Sequence, residues 1–132
     1  MQPNLTPRLA PYLAVKNAGG LVRFIEEAMG GIAGFQEKRP DGTLGHAEVR
    51  VADGLLMIAD VPSERPLFPA MLHLYVPDAD AAYARALKAG ASKVQDPTIA
   101  PNGDKRGGVR DAWGNEWWFT SLREPGARSD PR

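Results

Sequence analysis

The chain has 132 residues, 16 Lys and Arg against 16 Asp and Glu, and no Cys. That length suits one domain, and 43% hydrophobic with 24% charged residues supports a core and argues against global disorder. Zero net charge excludes the broad basic footprint of a nucleic-acid binder, and the lack of Cys excludes disulfides, thiolate nucleophiles, Cys-ligated zinc and iron–sulfur clusters.

The start, Met1 to Arg8, has no charged region followed by an apolar run, so no signal peptide is expected. No apolar run approaches the ~18 residues of a membrane span, so no membrane partner is expected and the default location is cytoplasmic. In chain order, Arg8 to Val15 reads as a short apolar strand and Asn17 as a helix N-cap. Leu21, Val22, Phe24, Ile25, Ala28 and Met29 follow the spacing of an amphipathic helix, which Gly30-Gly31 ends. Phe35 to Lys38 is a strand, Pro40-Asp41-Gly42 a turn, and Leu44–Val51 with Leu55–Asp60 a hairpin. The proline-rich stretch Val61 to Pro69 is a connector. A strand over Ala70–Val76, a helix over about Asp78–Ala89 stopped by Gly90, and strands near Lys93–Gln95, Gly107–Arg110 and Glu116–Ser121 follow. Ile99 to Gly108 reads as a long loop, and the tail 123–132 is expected to fray.

These elements repeat. Leu13-Ala14-Val15 falls over Leu74-Tyr75-Val76 at an offset of 61, and Asp53-Gly54 over Trp113-Gly114 at an offset of 60. The predicted fold is therefore α+β, a single domain over 1–122 made of two tandem βαβββ modules, about 8–60 and 70–122.

Strand alternation sorts the side chains. Leu9, Pro11, Leu13 and Val15 share one face of the first strand, with Arg8, Ala10 and Tyr12 on the other. Leu72, Leu74 and Val76 share one face of the fifth strand, with Met71, His73 and Tyr75 on the other. The aliphatic faces are expected to pack on the helices. The mixed faces read as a concave ligand-binding surface. For the hairpin, a three-residue loop Ala52-Asp53-Gly54 is expected, because a turn centred on Asp53-Gly54 would press His46, Glu48 and Arg50 against the helix. That choice sends Ala47, Val49, Val51, Leu55 and Met57 to the helix. His46, Glu48, Arg50, Leu56, Ile58 and Asp60 then face the concavity.

The ordered set Leu13-Ala14-Val15, Gly45 to Ile58, Val76-Pro77-Asp78-Ala79-Asp80 and Asp111-Ala112-Trp113-Gly114-Asn115-Glu116-Trp117-Trp118 resembles the vicinal oxygen chelate superfamily of glyoxalase I, bleomycin-resistance proteins and extradiol dioxygenases. The resemblance implies a cupped mixed β-sheet with helices on its outer face, usually in a homodimer. It also implies four metal-ligand positions in the metal-using members, which fall here on Ala10, Ile58, Met71 and Trp118. None is a usual oxygen or nitrogen ligand. The chain is thus similar to the metal-free, bleomycin-resistance-like members, which bind a bulky ligand in the same concavity, and no cofactor is expected.

Trp117 is expected in the core and Trp118 on the concave face, where it either stacks on a planar ligand or plugs the cavity. Tyr12, Tyr75, Met71, Ile58, His73 and Arg50 are the other candidate wall residues. Arg50 and Arg110, with Arg8 and Arg106 facing alike, suit an anionic ligand or stand as rim charges paired with Glu48, Asp60 or Glu116. His46, Glu48 and His73 supply, as an alternative, a two-histidine, one-carboxylate metal set. Gly103 to Gly108 lacks the context of a phosphate loop, and no Ser-His-Asp order occurs. The leading expectation is a small-molecule-binding homodimer. The alternative is a lyase or isomerase with His73 or His46 as acid/base and Glu48 or Glu116 as partner. A third is an interaction module whose cavity is filled by Trp118 and Met71.

Overall fold

The structure is a computed structural model and describes residues 9–62 and 64–123. Two compact units are present. The first holds β1 (Tyr12–Val15), α1 (Ala18–Met29), β2 (Ile32–Lys38), β3 (Leu44–Val51) and β4 (Gly54–Asp60), although the last three residues of α1, Glu27–Met29, group with the second. The second holds β5 (Met71–Tyr75), α2 (Ala79–Lys88), β6 (Ser92–Ile99), β7 (Lys105–Arg110) and β8 (Glu116–Ser121). The first sheet has the order β1-β4-β3-β2 and the second β5-β8-β7-β6. In each, the first and last strands pair in parallel and the other neighbours antiparallel. The duplicated βαβββ pattern expected from the sequence is therefore the fold.

Local chemistry sets the helix ends. Asn17 caps α1 from a left-handed conformation (φ 69°), its side chain accepting from the Gly20 N–H, and Gly30 (φ 66°) closes the other end. Asp78 caps α2 by accepting from the Ala81 N–H. Asp80 in its first turn and Arg85 and Lys88 in its last complement the helix dipole.

In the first unit Leu13, Val15, Leu21, Ile25, Ala47, Val49, Leu56 and Ile58 are buried. A Cβ built on Gly31 would lie 2.7 Å from Ile25 Cγ2 and 2.9 Å from Val49 Cγ1, so β2 leaves the helix through a space only glycine fits. Asp60 joins the elements: its carboxylate accepts from the Ala18 N–H at the start of α1 and from the Leu44 N–H at the start of β3, both at 2.8 Å. In the second unit Tyr83 and Ala86 of α2 and the sheet residues Val109, Trp117 and Phe119 are buried.

The β3–β4 loop corrects the expected facing of β4. Val51 pairs with Gly54, so the loop is the two residues Ala52-Asp53, with Ala52 at φ 54°. The register shifts by one residue, and every β4 side chain changes face. Ala47 sits opposite Ile58 and Val49 opposite Leu56, while Glu48 sits opposite Met57 and Arg50 opposite Leu55. Leu56, Ile58 and Asp60 thus face α1, and Leu55 and Met57 the open side. The left-handed alanine is offset by what this register buries: two large aliphatic side chains under the helix and an Asp60 carboxylate on two otherwise orphaned N–H groups. Ala52→Gly should relieve the strain and raise unfolding free energy by roughly 0.5–1 kcal/mol, measured by urea unfolding, and a loss of stability would contradict it.

Other boundaries differ modestly. Strand β1 begins at Tyr12, and Leu9 is 90% exposed. The long loop expected over Ile99–Gly108 shrinks to 100–104, because β6 runs through Pro97 to Ile99 and β7 starts at Lys105. The proline is tolerated because β6 is an edge strand. Asp104 closes that loop: its side chain accepts from the Asn102 amide and the Arg123 N–H. Arg8 and most of the 123–132 tail lie outside the described residues.

Candidate functional site

The face of the second sheet turned away from α2 carries three cross-strand rows. Lys105, on the opposite face, is paired with Asp80 of α2 at 2.6 Å, which fixes the sides. The first row is Met71, Glu116 and Arg110; the second is His73, Trp118, Gly108 and Gln95; the third is Tyr75, Thr120, Arg106 and Thr98. The expected division of β5, with Met71, His73 and Tyr75 on this face, holds. So does the division of the tryptophans: Trp117 is 1% exposed in the core and Trp118 is half-buried on the open face.

Trp118 lies flat on its own sheet. A Cβ on Gly108 would come within 2.8 Å of its Cδ2, Cε2 and Cε3 atoms, so the indole covers the bare backbone of β7. Its Nε1–H donates to Glu116 Oε1 at 3.1 Å, and Arg110 Nη2 donates to Glu116 Oε2 at 2.7 Å. The hydrogen bonds from Arg110 and then Trp118 hold the Glu116 carboxyl below its ordinary value. The tether is therefore charged at neutral pH and weakens only as pH falls through that lowered value. Glu116, a candidate acid/base partner, is hydrogen-bonded to both Arg110 and Trp118.

Beside the plate, His73 Nε2 and Thr120 Oγ1 are 2.7 Å apart, and the His73 and Tyr75 rings are 5.1 Å apart between centroids. Met71 and Tyr75 are 70% and 51% exposed. Arg106 has its Nε shielded from solvent without a hydrogen-bond partner among the described residues.

The equivalent face of the first sheet carries Tyr12, His46, Glu48, Arg50 and Met57. His46 Nε2 lies 3.1 Å from Glu48 Oε2, and the His46 ring sits 6.1 Å from Tyr12 and 6.0 Å from Phe35. Such a pair can hold an imidazole for proton transfer. Arg50 has no ion-pair partner among the described residues, whereas Arg110 is the rim charge bound to Glu116. Ile58, expected on this face, is fully buried on the α1 side, for the register reason given above.

Two four-stranded sheets of identical βαβββ connectivity, each with one face under a helix and one aromatic and polar face, define a duplicated-module α+β protein. The chain belongs to the Glyoxalase/Bleomycin resistance protein/Dioxygenase superfamily, whose profile matches residues 8–119. It is 32% identical to an uncharacterized protein of Mycobacterium bovis over 95% of this chain and 88% of that one. Among solved structures, TioX from Micromonospora sp. ML1 superposes with a TM-score of 0.75 at 24% identity, covering 89% of this chain and 99% of that one. A gene product of Arabidopsis thaliana gives 0.69 at 26% identity, covering 87% and 98%. Lactoylglutathione lyase from Agrobacterium tumefaciens gives 0.65 at 15%, covering 89% and 95%.

The structure also corrects the repeat arithmetic. Tyr12 pairs with Met57 as His73 pairs with Trp118, so the last strands are related by 61, not 60. Five residues separate the paired Arg110 and Glu116, against four between the equivalent pair Arg50 and Leu55, so the counterpart of Trp118 is Met57. The four positions that the resemblance assigns to metal ligands become Ala10, Met57, Met71 and Trp118. A methyl group, two thioethers and an indole provide neither oxygen nor imidazole nitrogen, so these residues do not fit a hard or borderline divalent ion. His46, Glu48 and His73 form no ligand set, since among the described residues no three His, Asp or Glu are grouped to hold a metal. Gly108 escaped the sequence reading, and Met57 was expected on the helix side. The signal for Gly108 was a glycine where the first module has Glu48, next to a tryptophan where it has Met57.

Proposed function

We propose that the protein binds a planar organic molecule on the open face of the second sheet, with Trp118 as the stacking plate and no metal in the contact. The observation that carries this reading is the clamp on Trp118: one ring face rests on Gly108, and the indole N–H is tied to Glu116. A ring already fixed loses little rotamer freedom when a second ring stacks on it, so more of the stacking energy, typically about 0.5–1.5 kcal/mol beyond area burial, appears as affinity. Met71, His73 and Tyr75 on the neighbouring strand give the site an apolar and aromatic margin. Trp118 keeps part of its surface open to solvent, which favours stacking over a plugged cavity.

The test is fluorescence titration with N-phenyl-1-naphthylamine, a neutral aromatic probe. Saturable binding is expected, weakened at least tenfold in Trp118→Ala and little changed in Trp113→Phe. Equal binding by wild type and Trp118→Ala would overturn the reading.

A further inference from the structure

We infer that the ligand taken on Trp118 carries an acidic oxyanion group, such as an aryl carboxylate, and that Arg106 is the residue that receives it. This rests on the stacking reading above and adds the chemical class of the ligand.

Arg106 occupies the third row of the same sheet face, on the same strand as Gly108 and two residues from it. Two residues of strand span ~7 Å, so Arg106 is rooted one row from the plate that covers Gly108. A fused aromatic ring on Trp118 with a directly attached carboxylate spans that separation.

The charges on the face select Arg106 over the other arginines. The second and third rows hold His73, Trp118, Gly108, Gln95, Tyr75, Thr120, Arg106 and Thr98, and none is an acid. The carboxylate of the first row, Glu116, is already taken by Arg110 and Trp118. Asp96 and Asp80 are engaged with Tyr83 and Lys105 on the α2 side. Arg106 therefore has no acid of its own sheet to pair with, and its Nε is shielded without a hydrogen-bond partner among the described residues. A buried donor left unmade is costly, and a planar carboxylate suits the guanidinium fork. Tyr75 and Thr120 complete the row; the Thr120 hydroxyl is bound to His73.

The experiment compares two probes of one shape, 2-naphthoate and 2-naphthamide, by calorimetry on the full chain. Wild type should bind the carboxylate roughly tenfold or more tightly than the amide. Arg106→Gln should bring the carboxylate down to the level of the amide and leave the amide unchanged. Trp118→Ala should weaken both. A carboxylate preference that survives in Arg106→Gln, or that disappears instead in Arg110→Gln, overturns the inference. Equal binding of both probes by wild type also overturns it while leaving the stacking site intact. Binding of neither probe, or full binding by Trp118→Ala, brings down the stacking reading as well.

Discussion

Replacing Asp111, in the loop between β7 and β8, by alanine is expected to lower the unfolding free energy by about 4 kcal/mol. Its carboxylate is buried and uses both oxygens twice. Oδ1 accepts from the N–H groups of Trp113 and Asn115, each at 2.9 Å; Oδ2 accepts from the Asn115 side-chain amide at 3.1 Å and from Trp117 Nε1 at 2.9 Å. Asn115 carries the connection onward, its Oδ1 accepting from the Ala70 N–H at the entry to β5. The alanine variant leaves several buried donors unpaired, including the indole N–H of a tryptophan that is 1% exposed. Asp111→Asn is the sharper variant. It keeps the shape and one accepting oxygen, but turns an NH2 group toward two donors, so about half the loss should remain. Urea unfolding measures both, and a cost below ~1 kcal/mol for the alanine variant would show that the loop is held by other means.

That loop also shows what was legible in the sequence. Asp111-Ala112-Trp113-Gly114-Asn115 carries part of the family resemblance, and its visible role is structural: it clips β7 to β8 and β8 to β5. Patterns of this kind recur because backbone N–H groups need partners, so they report the fold well and the ligand poorly. Helix faces, caps and the duplicated module were readable because amphipathic spacing and glycine stops are local signals. The register of β4 was not. The Asp53-Gly54 pair suggested where the chain turns, yet the deciding group was Asp60, six residues on, whose carboxylate must reach the start of α1. A long-range hydrogen bond outweighed a local turn preference, and one residue of slip carried Ile58 from the expected site into the core.

The candidate site was half legible for a related reason. Alternation placed Trp118, His73 and Tyr75 on the open face, because strand parity needs only the sequence. It gave no reason for choosing between a ring that stacks and a ring that plugs. That choice depends on what lies beneath the ring, and Gly108 is on another strand, ten residues earlier.

Gly108→Ala is therefore the most informative change at the site. Its new methyl carbon would sit 2.8 Å from three atoms of the Trp118 ring, whereas carbon atoms in contact prefer ~3.5–4.0 Å. The ring has to rise by about 1 Å, which pulls Nε1 from its 3.1 Å bond to Glu116 and releases the plate. Binding of N-phenyl-1-naphthylamine should fall at least tenfold, and the fold should lose roughly 1–3 kcal/mol as overpacking does elsewhere. The double variant Gly108→Ala with Trp118→Ala separates the causes. If the methyl acts through the ring, removing the ring should recover most of the stability cost, so the two changes are strongly non-additive, while binding stays lost. Additive stability losses, or unchanged probe binding in Gly108→Ala, would mean that the indole does not rest on Gly108 and that the plate is held some other way.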